Sequence, residues 1–264
     1  MFNINRLAAA TAGAVLFSAA TFSHAIPSLQ LGIAAGSYDP VTETGIASSN
    51  AFSLYAYLIP NSRNLIGETY TISMALTPQV TSAANLGSFT VNGNQIDATS
   101  GMNYGIPPAD ATIETTPGGD SHDLQTHSVF PTFFVEKSFT FSIANQSGKF
   151  DTEDHPSFGP QPGTGMYFAK FDIDVTKLNV NYAVHFDLYK TKPIVKETCV
   201  GKGKGKVCTK IPTGELDVAA FAPFSHDAQS GHGGGGPPNE TSEPTILLIF
   251  LLGLIYLLTV RRKR

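Results

Sequence analysis

Five stretches of the chain alternate apolar and polar side chains with a period of two, the spacing that sends successive residues to opposite faces of a strand. Phe52, Leu54, Ala56 and Leu58 alternate with Ser53, Tyr55 and Tyr57, and Tyr70, Ile72, Met74 and Leu76 with Thr71, Ser73 and Ala75. Phe139, Phe141 and Ile143 alternate with Ser138, Thr140 and Ser142. Phe171, Ile173 and Val175 alternate with Asp172, Asp174 and Thr176, and Val184, Phe186 and Leu188 with His185, Asp187 and Tyr189. Gly, Pro and Asn punctuate the intervals, as in Ile59-Pro60-Asn61, Asn92-Gly93-Asn94, Ile106-Pro107-Pro108 and Pro117-Gly118-Gly119. No helix-period run interrupts them. The pattern predicts an all-β, antiparallel β-sandwich of about nine to eleven strands over residues 26–231. Residues 101–125 are loop-rich and read as an excursion across one edge.

The two ends follow a different pattern. Residues 1–25 read as a secretory signal peptide: Arg6 supplies a positive start, 7–22 is small and apolar, and Ser23-His24-Ala25 sets a cleavage point between Ala25 and Ile26. At the other end, residues 232–244 form a Gly/Pro-rich linker containing Ser242-Glu243-Pro244, too poor in apolar side chains to join a packed core. An apolar run, TILLIFLLGLIYLLTV, fills 245–260 and predicts one transmembrane helix. At about 24 Å it is slightly short for a bilayer core. Arg261, Arg262, Lys263 and Arg264 make a basic cytoplasmic end that orients the helix and leaves the preceding domain outside.

Composition supports this reading. Only 14% of the 264 residues are charged, and Gly, Pro and aromatics are plentiful, which suits short strands and many turns. The overall net charge of −4 hides an asymmetry: residues 26–242 hold 12 basic and 20 acidic residues, and seven of the basic ones lie between Lys190 and Lys210. An acidic ectodomain argues against nucleic acid as a partner.

The order of Ser242-Glu243-Pro244, a short apolar helix and a basic cluster resembles the PEP-CTERM sorting signal. The resemblance implies recognition by an exosortase-like processing enzyme at the inner membrane of a Gram-negative-type bacterium, after export and cleavage by signal peptidase, and delivery to the cell surface or extracellular matrix. Ser-Glu-Pro stands where that signal has Pro-Glu-Pro, which leaves a permanent single-span anchor as the alternative. Phrases of the ectodomain resemble the "choice-of-anchor N" family: LQLGIAAGSYDPVTET (29–44), SLYAYLIP (53–60), YGIPP (104–108), VFPTFF (129–134), GTGMYFAKFDIDVT (163–176), YAVHFDLY (182–189) and FAPFSHDAQSG (221–231). That resemblance implies an exported domain with interchangeable anchors and brings no catalytic residues with it.

Candidate chemistry is sparse. Cys199 and Cys208 are the only cysteines, and an oxidising destination predicts a disulfide closing the Gly/Lys-rich segment VGKGKGKV. Lys202, Lys204 and Lys206 in that tip suggest either a solvated hairpin end or contact with anionic polysaccharide or lipid headgroups. Asp151, Glu153, Asp154 and His155 lack the spacing that wraps a loop around calcium and read as a hydrated acidic turn. Asp172, Asp174, His185 and Asp187 would form a polar cluster if their strands were neighbours. Ser121, His122, Asp123, His127 and Ser128 come with no nucleophile-elbow sequence, and His226-Asp227 reads as a structural pair. We therefore expect a non-enzymatic surface protein with no cofactor, no catalytic residue and no metal ligand. The alternative is a carbohydrate-binding module using outward-facing Tyr55, Tyr57 and Tyr189.

Overall fold

The alternating segments become strands, and the apolar face of each turns toward a shared interior. The computed structural model describes residues 25–108, 130–201 and 206–231. Two sheets account for these residues. The first runs β1 (Leu29–Ile33), β4 (Ala51–Leu58), β11 (Gly165–Asp174), β6 (Ser88–Val91) and β7 (Asn94–Asp97), with β10 (Gln146–Gly148) also paired to β11. The second runs β2 (Ser37–Asp39), β3 (Thr44–Ile46), β14 (Asp227–Gln229), β12 (Ala183–Val200), β5 (Thr69–Thr77), β9 (Thr132–Thr140) and β8 (Asn103–Gly105), with β13 (Val207–Phe221) also paired to β12. All pairings are antiparallel except that of β14 with β3. Among the described residues the only helical turn is a 3-10 turn at Phe224–His226.

The inner faces bring Leu54, Ala56 and Leu58 together with Ile72, Met74, Leu76, Val184, Phe186 and Leu188, all buried. Two aromatic pairs join the sheets edge to face: Phe139 of the second with Phe171 of the first, centroids 5.1 Å apart, and Phe52 with Phe186 at 6.1 Å. This is a sandwich-like arrangement of two sheets on one core, as the periodicity predicted.

Two details depart from the sequence reading. The described residues hold fourteen strands rather than about nine to eleven, the surplus being three-residue strands such as β2, β8 and β14, too short for period-two alternation to register. The chain also keeps changing sheets, so only hairpins such as β6–β7 and β12–β13 pair in sequence order. The expected strand through Ile143 stops at Thr140: the Ser142 hydroxyl accepts the Ala144 N–H, forming a local turn that leaves Ile143 70% exposed. The Asn92-Gly93 signal does form the β6–β7 turn, with φ of +51° and +77°, as a two-residue hairpin of this type requires. Residues 1–24 of the signal peptide, the linker with Ser242-Glu243-Pro244, the apolar run and the basic end lie outside the described residues.

Candidate functional site

β12 outgrows its sheet. Its first part, through Tyr189, pairs with β5, whereas from Tyr189 to Val200 its register runs along β13. The result is a two-stranded arm standing off the sandwich, exposed along most of its outer half. Register shifts fall between Lys190 and Thr191 and between Pro193 and Val195. Prolines in the arm, Pro193 and Pro212, remove backbone donors from its edges. Two ion pairs hold the base: the Lys190 ammonium lies 2.9 Å from Glu68 and also donates to the Arg63 carbonyl, and Lys192 lies 3.1 Å from Asp217. Cys199 and Cys208 face each other across the arm with Cα atoms 4.0 Å apart and are joined as a disulfide, as expected. Val200, Val207 and Ile211 share one exposed face with Lys196, while Lys210 lies opposite Glu197 on the other. Lys206 is exposed; Lys202 and Lys204 lie outside the described residues.

The outer face of the first sheet is partly covered: residues 149–164 lie across β1 and β4 and build a small second core of Tyr57, Phe150 and Met166. Gln30, fully buried on β1, anchors this loop: its Nε2 donates to the Phe150 carbonyl at 3.3 Å and its Oε1 accepts the Thr152 N–H at 2.9 Å. The acidic turn is therefore fastened rather than freely hydrated. Asp151 is buried, accepts the Glu153 N–H at 2.9 Å, and lies 2.8 Å from His226 Nε2. Ser225 Oγ sits 2.7 Å from His226 Nδ1. In the neutral tautomer that satisfies both contacts, Nε2–H donates to Asp151 and Nδ1 accepts from Ser225. This Ser-His-Asp chain ties the loop to the last residues of the domain. His155 stacks on Phe158, centroids 4.7 Å apart.

On the second sheet, His185 and Asp187 project from β12 on the outer face and meet Asp227 at the start of β14. The polar cluster anticipated from the sequence thus forms with different members. Asp172 and Asp174 sit in the first sheet, where Asp172 pairs with Lys170 at 2.8 Å and accepts from Ser53 at 3.1 Å. Asp227 takes their place, and no local pattern signals this, because β14 pairs with strands distant in sequence. His185 Nε2 lies 3.4 Å from Asp187 and 3.7 Å from Asp227. Burial alone would lower the pKa of this imidazole, but the Asp187 and Asp227 carboxylates outweigh it and lift it to about 10. Tyr189, next on the same face, hydrogen-bonds Glu136, and burial followed by that carboxylate raises its phenol well above the ordinary value.

The tyrosines expected to face solvent do not. Tyr57 and Tyr189 are both 0% exposed: residues 149–164 lie over the first and the Glu136 carboxylate meets the hydroxyl of the second, contacts that strand alternation cannot reveal. Tyr55 is half-buried, stacked against Tyr57. Ser121, His122, Asp123, His127 and Ser128 lie outside the described residues. No protein-family model matches the chain, and no curated protein or solved structure matches it significantly.

Proposed function

We propose that this is an exported, surface-anchored, non-catalytic β-sandwich protein of the cell envelope or extracellular matrix, sorted by its C-terminal tail and related to the choice-of-anchor N proteins it resembles. The observation that carries the reading is the disulfide-closed arm, a bond suited to an oxidising compartment on an element that stands clear of the core. In this reading the sandwich is a rigid platform, the linker at 232–244 spaces it from the membrane, and the arm with Lys196, Lys206 and Lys210 touches the anionic polysaccharide of the matrix. A stacking carbohydrate site fits less well, because Tyr57 and Tyr189 are buried where such a site needs a bare aromatic face.

Mass spectrometry of the mature protein, recovered from surface and matrix fractions of a host that has exosortase, tests the proposal. It should begin at Ile26, end near Glu243, and carry Cys199 linked to Cys208. Replacing Glu243-Pro244 by Ala-Ala should leave the tail attached. A product retaining Arg264 in the inner membrane would show a permanent anchor, and free thiols in exported protein would remove the oxidising address.

A further inference from the structure

The group on the outer face of the second sheet has the make-up of a metal centre. We propose that His185, Asp187 and Asp227 bind one divalent first-row transition-metal ion, with zinc(II) the ion they fit best. The ligand atoms of the three side chains all lie within 4.8 Å of one another. In a tetrahedral zinc site with bonds of about 2.0–2.2 Å, neighbouring donors stand roughly 3.3–3.5 Å apart. His185 Nε2 stands 3.4 Å from one carboxylate and 3.7 Å from the other, at that spacing rather than at hydrogen-bond length.

The contrast with the second histidine is informative. His226 closes on Asp151 at 2.8 Å, as a structural His–Asp pair does. His185 Nε2 is buried, faces two carboxylates, and makes no hydrogen bond. A cavity of about 30 Å³ touches His185 and Asp187 and is lined further by Thr44, Thr77, Thr132 and Gln229. The rest of its lining, with Ala75, Leu76, Pro107 and Phe130, is mostly apolar, and the volume has room for one water molecule beside His185 and Asp187.

Support agrees with geometry. Ser73 Oγ donates to Asp187 Oδ2 at 2.8 Å and fixes the carboxylate with its other oxygen toward His185, the orienting contact a metal ligand commonly has. One imidazole nitrogen with two carboxylate oxygens favours zinc or manganese over magnesium and calcium, which prefer all-oxygen shells. Such an ion would clip β14, the last of the described strands, onto β12.

The test uses the full chain, purified in detergent, stripped with EDTA and held at pH 8, where protons compete less for the imidazole. Calorimetric titration with zinc chloride should find one ion per chain with micromolar or tighter affinity, and calcium should not reproduce it. Asp187→Asn with Asp227→Asn should weaken binding at least tenfold. Asp151→Asn, in the other His–Asp group, should leave it unchanged. Circular dichroism checks that the variants fold. If the double variant does not, Asp227→Asn alone and cobalt(II) loading of the unaltered chain still decide: four-coordinate visible absorption supports the site, and its absence overturns it. No stoichiometric binding, binding untouched by the double variant, or loss in Asp151→Asn instead would each overturn the proposal.

Discussion

Gln30→Leu should unlock the cover of the first sheet. The native side chain is fully buried and bonds both the Phe150 carbonyl and the Thr152 N–H, backbone groups flanking the buried Asp151. Leucine fits a similar volume but leaves both groups without this partner beside Tyr57, Phe150 and Met166. Each of the two unsatisfied buried backbone groups costs about 1–3 kcal/mol, and the added apolar surface returns about 1 kcal/mol, so the net loss is about 1–5 kcal/mol. For a domain of 150–250 residues this corresponds to a fall in Tm of roughly 2–20 °C. Urea unfolding at unchanged slope measures the loss, and hydrogen exchange locates it. Amides at 150–158 should lose protection before those of β5 and β12, because Gln30 holds the loop and not the core. A loss under about 0.5 kcal/mol, or uniform exchange, would refute the reasoning.

Four further outcomes follow from equally local causes. Reducing Cys199–Cys208 should raise amide exchange in the outer arm while the sandwich melts nearly unchanged, since a loop of about ten residues constrains only the arm. Gly87→Ala should cost more than about 2 kcal/mol in denaturant melts, because a Cβ there would lie 2.1 Å from the Lys177 carbonyl oxygen at φ +87°. Gly93→Ala, with a similar φ but open space around it, should cost only about 1 kcal/mol. The Leu65 N–H, and then the Lys190 ammonium, hold the Glu68 carboxyl below its ordinary pKa. Its stabilising effect is therefore present above the ordinary carboxylate pKa and is lost as pH falls through the lowered one. Glu68→Gln should cost at most about 1 kcal/mol near neutrality, where the pair is partly exposed, and the gap to the unaltered chain should close in acid melts.

The sequence by itself determined the fold class and the inner faces. Period-two alternation is a local consequence of strand geometry, so Leu54, Ile72, Phe171 and Phe186 announced the core without knowledge of pairing. It also determined the Asn92-Gly93 turn and the cysteine pairing, both set by residues close along the chain. Tertiary structure alone decided what lies over the outer faces. Tyr57 and Tyr189 alternate like solvent-facing residues yet are buried, the first under residues 149–164 and the second with its hydroxyl on Glu136 of β9, both distant in sequence. Membership of the His185 group was likewise beyond the sequence: His185 and Asp187 share a face by alternation, but Asp227 joins them only through the register of β14 with β12, and Asp172 is carried away on the other sheet. Spacing along a strand is fixed by covalent geometry, whereas the company a side chain keeps across strands depends on which non-local pairings close, and no short stretch of residues encodes that choice.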